Sequence, residues 1–393
     1  MSFVAIALIV DIVFLGPLGV RIYGIPVRHV LIASLVVISI VPTIGQRMKM
    51  TWQVLLFLGI GLFLVIWGGI VPQTTGVQLK MTLAEVQPIA AIFLILPFYH
   101  LLRYNGAEFY LKIARRCIFV MAVIVIIVWF ASNVFGNVGV GMAMRKFYIS
   151  MNDTELGVYI GPLGDGSFRV MLINFIMFPL ILCYYNWEDT DLGWSAFYAL
   201  AIFATGTRAF LGVWALIVGI SLLRRRPALA VPLLVVVTGV AFAYMGSMQR
   251  LRVFEVGSEL GATSVRYLQY FSLMQLFWQY PMFGAGLGAN AILIRSVDAP
   301  YSYELTYVAL LAKLGIVGSG VVVSTLVMWT SYLMKRTQNW TSILSLAAAI
   351  FLMTSTNPYL INLVGMTIMA FVIALGAQGD HRRTALLPGR PQP

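Results

Sequence analysis

Apolar runs near 20 residues, the length a bilayer core requires, recur along almost the whole chain and decide which solvent it folds in. Read in order, they give about twelve candidate spans by that length criterion. These are 2–20, 29–45, 52–72, 83–102, 117–135, 168–186, 194–206, 208–223, 228–246, 315–334, 341–356 and 359–377. The chain is 60% hydrophobic and 10% charged, against roughly 25% charged in soluble domains. So little polar surface cannot coat a globule of this size, so lipid has to be part of the solvent. Continuous runs exclude an outer-membrane barrel, whose strands are shorter and alternate. The expected class is an all-α polytopic membrane protein. It has one helical domain over 1–379 and a short cytoplasmic disordered tail over 380–393.

The net charge is +12, from 26 basic and 14 acidic residues. Topology explains much of it, which removes nucleic acid as an expected partner. Arg47 and Lys49, Arg103, Lys112, Arg115 and Arg116, Arg224 to Arg226, Lys335 and Arg336, and Arg382 and Arg383 all follow even-numbered spans. Positive residues in short loops stay in the cytoplasm, so both termini are expected inside. The first run lacks a charged leader and a cleavage site, so it is expected to remain as a span. The three histidines, His29, His100 and His381, are scattered, and Cys117 and Cys183 form no ligand spacing. No metal or other cofactor is expected from this pattern.

The long connection 247–303 breaks the apolar pattern and is expected outside, with short helices of its own. A helix is expected from about Val265 to Gln279, closed by Pro281. Tyr267, Tyr270, Trp278 and Tyr280 suit headgroup depth. Gly284, Gly286 and Gly288 follow in alternation. They let backbone N–H groups approach a ligand, or they make a tight turn that packs two helices. A second helix is expected from Tyr301 to Lys313, with Gly315 opening the next span. That leaves Glu304 and Lys313 outside the hydrocarbon.

Outer-face arginines are not needed for topology, and their planar forks suit phosphate oxygens. Arg250, Arg252, Arg266 and Arg295 lie in or beside this connection, and Arg208 lies between two spans. Each also has a plain reading. Arg208 can anchor a span end by snorkelling, Arg266 can be a surface charge, and Glu304 can favour a helix N-terminus. Asp11 is an acid inside the first run or at its shallow edge.

Three landmarks in this order resemble the O-antigen ligase and O-antigen polymerase superfamily of bacterial glycosyltransferases. The first is Thr205-Gly206-Thr207-Arg208-Ala209, then an apolar span and Arg224-Arg225-Arg226. It is similar to the family's TGSRG-type segment. The second is Arg266 followed by Tyr280-Pro281-Met282-Phe283-Gly284-Ala285-Gly286-Leu287-Gly288, similar to an arginine upstream of a P-x-x-G-x-G turn. The third is Tyr303-Glu304-Leu305 through Lys313-Leu314-Gly315. Here the family's ligase histidine falls on Glu304 and its glutamate on Lys313, which favours a polymerase-type member.

The resemblance implies transfer of a glycan from an undecaprenyl pyrophosphate carrier, on the outer face of the bacterial inner membrane. The implied partners are that donor, a glycan or lipid-linked acceptor, membrane lipids and other polysaccharide-assembly proteins. The reaction is expected to be metal-independent and inverting. Arg208 and Arg266 would stabilise the leaving pyrophosphate, and Glu304 would be the general base. Arg250, Arg252, Arg295, Gly284 and Gly286 would contact substrate, and Tyr301 and Tyr303 would stack on sugar. A ligase acting on lipid or protein is the neighbouring reading. A secondary transporter or flippase is the reading from another class.

Overall fold

The computed structural model describes residues 2–14, 21–22, 25–45, 50–134, 158–162, 168–172, 192–204, 214–216, 218–219, 228, 262–294, 300–336 and 363–385. Helix α1 (Ser2–Phe14) leads through the paired strands β1 (Arg21–Ile22) and β2 (Ile25–Pro26) into α2 (Val27–Gly45). Helix α3 (Trp52–Thr75) turns at Gly76, which is left-handed (φ 75°), into α4 (Leu79–Ala90). A 3-10 turn at Ala91–Leu94 carries α4 into α5 (Ile95–Asn105). Pro88 in α4 has no N–H to donate, and a tighter turn there relieves the interrupted ladder. Then come α6 (Ala107–Val134), the antiparallel strands β3 (Val158–Pro162) and β4 (Phe168–Leu172), and α7 (Leu192–Ala204). Helices α8 (Ala262–Gln279), α9 (Thr306–Arg336) and α10 (Leu363–Ala385) complete the described elements.

Among the described residues, four helical stretches are long and apolar enough to cross a membrane: Trp52–Thr75, Leu79–Asn105, Lys112–Ala131 and Thr306–Tyr332. This is a helical membrane protein by composition and length. Helix α3 shows why. One face buries Val54, Phe57, Ile60 and Leu64, while Leu55, Leu62, Ile66 and Ile70 on the other stay exposed, Ile70 at 61%. A helix apolar on both faces needs lipid beside it as well as protein.

The main core gathers α1, α2, α3, α5, α6, α7 and α10 around Leu8, Leu35, Phe57, Ile95, Tyr99, Met121 and Ala370. Edge-to-face pairs fix it across elements, Phe98 against Phe371 at 5.3 Å and Phe57 against Trp329 at 5.3 Å. A smaller cluster holds α8 to α9 through Leu273, Phe277, Tyr303, Ala309 and Ala312.

Several sequence boundaries are corrected. Residues 168–172, placed at the start of a span, form β4, with Gly161 paired to Arg169 and Val158 to Leu172. Arg169 is a poor membrane residue, and Gly164-Asp165-Gly166 between the strands is turn-forming sequence. Helix α6 starts at Ala107, so Lys112, Arg115 and Arg116 ride on a helix rather than in a loop. Helix α10 runs to Ala385, past the expected start of the tail at 380. Span 341–356, all of 228–246 but its first residue, and most of 208–223 lie outside the described residues.

Helix α9 is broken. Gly315 adopts φ 67° and ψ −173° inside it, dividing a short first piece from a longer second one. The break frees backbone groups that neither piece can satisfy. The segment after α8 takes them up. Ala285 and Gly286 N–H donate to the Ala312 and Lys313 carbonyls, both at 2.9 Å. Ile316 and Val317 N–H donate to the Pro281 and Met282 carbonyls at 2.9 and 3.1 Å. A side chain on Gly284 (φ 77°) would strike the Lys313 carbonyl, and one on Gly315 would strike Met282. Gly284→Ala and Gly315→Ala should therefore each lose at least ~1–3 kcal/mol from backbone strain and clash. Gly59→Ala and Gly69→Ala, whose added carbon would meet nothing within 4 Å, should hold or gain slightly. Thermal unfolding in detergent would decide; equal losses at all four positions would remove this account of the break.

Candidate functional site

Helix α8 needs a partner because it is not apolar enough to stand in lipid alone. Its buried face carries Gln269, Leu273 and Phe277, spaced to pack on α9. Tyr267, Phe271 and Trp278 remain exposed, Trp278 at 70%, as expected of a helix at an interface. Pro281 follows its end, where the Tyr280 N–H still reaches the Phe277 carbonyl at 3.0 Å.

This docking brings together two residues 38 apart. Arg266 on α8 donates from Nε to Glu304 Oε2 at 2.7 Å. The Arg266 side chain is 43% exposed and Glu304 20%, so the pair is reachable from solvent yet partly shielded. Glu304 sits just before α9, and its carbonyl accepts the Thr306 N–H at 3.0 Å. One turn along α8, Gln269 is fully buried, and neither amide atom has a hydrogen-bond partner among the described residues. A buried amide in that state costs about 1–3 kcal/mol.

A second charged pair lies deeper. Lys313 Nζ donates to both oxygens of Glu85, at 2.5 and 2.7 Å, and to the Tyr301 carbonyl at 2.6 Å. Both side chains are buried, at 0% and 2% exposure. The Tyr301 and Tyr303 rings lie 5.8 and 5.7 Å from the ammonium, close enough for cation–π attraction. Glu85 also accepts the Gly288 N–H at 2.6 Å. Contacts within the protein therefore accommodate the Lys313 charge, which had been expected to rely on lying outside the hydrocarbon. Sequence reasoning missed Glu85. Its signal was available, a lone acid inside the run 83–102, but the partner lies 228 residues away.

Of the predicted site residues, the structure joins Arg266 and Glu304 directly. Tyr303 is corrected: it is 1% exposed, and its hydroxyl accepts the Ala291 N–H at 2.6 Å, leaving no face for a sugar. Burial pushes its phenol up, as it does that of Tyr301, where the Glu85 carboxylate adds to the effect. Both therefore stay protonated. Gly284 and Gly286 take the packing role of the two readings open to them. Gly284 N–H donates to the Tyr280 carbonyl at 2.9 Å, Gly286 N–H to the Lys313 carbonyl, and Gly286 backs onto Pro72. Their N–H groups are spent on protein. Arg208, Arg250, Arg252 and Arg295 lie outside the described residues. Among the described residues, no three His, Cys, Asp or Glu side chains converge as metal ligands.

The segment between the two pairs is anchored on every side. Thr75 Oγ1 donates to the Ala285 carbonyl at 2.7 Å, and Trp67 Nε1 to the Phe283 carbonyl at 3.3 Å. Beside it, the ends of α3, α4 and α8 enclose an open cleft of about 410 Å³. The sequence matches no protein-family model and no curated protein.

Lys313→Met should strand the Glu85 carboxylate and cost about 3–5 kcal/mol, because an unpaired buried charge remains. Glu85→Gln should cost a similar amount. The double variant should lose less than the sum, since removing both charges leaves neither of them stranded. Thermal unfolding of all four proteins gives the coupling; strict additivity would show that the pair is not a unit.

Proposed function

We propose that this chain is an integral membrane glycosyltransferase that polymerises, or transfers, oligosaccharide units carried on undecaprenyl pyrophosphate. The observation that carries the reading is the partly shielded Arg266–Glu304 pair at 2.7 Å. The two residues come from separate elements at the end of the interfacial helix. In this reading twelve spans place both termini in the cytoplasm and 247–303 on the outer face of the inner membrane.

The chemistry needs a base and a cation in one place. The acceptor hydroxyl gives its proton to Glu304 as its oxygen attacks the anomeric carbon. The bond from that carbon to the pyrophosphate oxygen breaks from the opposite face, inverting the centre. The electron pair leaves with undecaprenyl pyrophosphate. Before transfer, Glu304 balances the Arg266 charge. Once Glu304 is protonated, that charge is uncompensated as the pyrophosphate gains its own, so proton transfer and leaving-group stabilisation reinforce each other. Arg208 remains the second proposed clamp, and Arg250, Arg252 and Arg295 are auxiliary contacts.

The transporter reading has one feature in its favour, the broken helix α9, because half-helix ends often hold cargo. Against it, the freed groups at this break are paired within the protein, and the Arg266–Glu304 pair among the described residues is reachable from solvent.

The test uses purified protein, a synthetic undecaprenyl pyrophosphate-linked oligosaccharide and no divalent metal. A ladder of lengthening glycans is expected. Arg266→Ala and Glu304→Gln should each cut it by about 100-fold or more, within the usual range for such groups. A single transfer to a supplied acceptor would make the protein a ligase. No transfer, with substrate moving across vesicles, would make it a transporter.

A further inference from the structure

The cleft beside the glycine segment has a chemistry unlike that of either charged pair. Its lining includes Thr75, Gln78, Gln279, Tyr280 and Asn290, over a floor of Ala285 and Ala289. Among the described residues, no lining side chain is charged, so the lining does not favour a pyrophosphate. Gln78, Gln279, Tyr280 and Asn290 are exposed. Three are amides, each with two donors and an acceptor, and the fourth is an aromatic ring with a hydroxyl. The floor, in contrast, is fixed. Ala285 is held through both backbone groups, by Ala312 and by Thr75, and Ala289 N–H donates to the Gly286 carbonyl at 3.3 Å. Exposed polar groups around a rigid base make a preformed recognition surface. Its volume of about 410 Å³ lies within the range of small-molecule sites, roughly 300–1,000 Å³.

A ligand that is uncharged, rich in hydroxyls and apolar on one face would match this lining. A saccharide has all three properties. Amides bridge neighbouring hydroxyls, and the tyrosine ring packs on the C–H face of a sugar ring. Gln279 and Tyr280 close one end of α8, while Arg266 lies near the other. At 1.5 Å rise per residue the two places are about 20 Å apart along the helix. That separation suits a glycan several sugars long with its reactive end at Arg266 and Glu304.

We infer that this cleft is a binding site for neutral oligosaccharide, remote from the reacting end. The occupant's identity as the growing glycan rests on the glycosyltransferase reading. The cleft's preference for an uncharged sugar rests on its own lining.

The experiment measures binding without turnover. The full chain in nanodiscs is titrated with a panel of neutral tri- to pentasaccharides, built from glucose, galactose or N-acetylglucosamine, using saturation-transfer NMR. At least one should bind. Gln279→Ala and Asn290→Ala should each weaken it roughly 3- to 10-fold, the effect of one lost hydrogen bond. These substitutions are at exposed positions, and unchanged unfolding temperatures would show that the variants fold. In the polymer assay the two cleft variants should yield shorter products. Failure of the whole panel to bind would overturn the inference. So would binding that ignores the cleft variants, or displacement by pyrophosphate or an uncharged peptide through the cleft residues. Saccharide binding that depends on the cleft, in a protein with no transfer activity, would uphold the cleft and sink the enzyme reading.

Discussion

The structure around the candidate site depends on the backbone groups that Gly315 releases by breaking α9. In water such groups would find solvent. Near a bilayer they must find protein, because an unsatisfied peptide group in hydrocarbon costs several kcal/mol. The segment from Pro281 to Gly286 supplies both the acceptors and the donors that the break lacks. Each part satisfies backbone groups of the other. The glycines follow from this, since carbonyls of one chain must approach within hydrogen-bonding distance of another backbone, and a side chain would keep them apart. Positive φ at Gly284, Gly286 and Gly288 gives the segment the curvature to make the contact.

The two ion pairs do different work because they differ in exposure. Lys313 and Glu85 are enclosed, so their charges gain little over well-packed apolar residues, yet removing one is expensive. Such a pair contributes specificity of arrangement. Glu85 accepts from Lys313 and from Gly288 together, so α4, α9 and the glycine segment can lock only in one register. Arg266 and Glu304 keep part of their surface open. Water screens that pair, so it adds little to stability, while both groups remain within reach of a ligand. One pair therefore suits a latch and the other suits chemistry. The position of the second depends on the first, because Glu304 sits just before α9 and Lys313 just before the break in it.

The sequence made much of this region legible for physical reasons. Pro281 removes an N–H and crowds the preceding turn, and α8 ends at Gln279, two residues before it. The Gly315 boundary was visible because the residues beyond it alone could cross a bilayer. Both members of the Arg266–Glu304 pair could be named, Arg266 as an outer-face arginine that topology does not require and Glu304 from the position it holds in the resemblance. Their meeting could not be read, because it depends on how α8 lies against α9. Glu85 was missed for the same reason, its partner being in another part of the chain. Tyr303 was misread because a tyrosine at an interface and one in a core look alike until the partner of its hydroxyl is known. Strand β4 was hidden by apolarity. Phe168, Val170 and Leu172 suit a span as well as a strand, and only pairing with β3 separates the two.

Helix α8 ties these features into one arrangement. It touches the ion pair near its start, packs on α9 through its middle and borders the uncharged cleft at its end. A helix is a ruler, so the distance between the charged and uncharged sites is set by chain length and cannot drift with loop motion. The glycine segment fixes the cleft floor to α9, and the Lys313 latch fixes α9 to α4. Three independent constraints thus hold the same spacing. A protein that only passed a ligand across the membrane would gain nothing from holding two chemically unlike surfaces at a constant separation. An enzyme acting on one end of a long polar chain needs that separation, since the part of the substrate that binds is not the part that reacts.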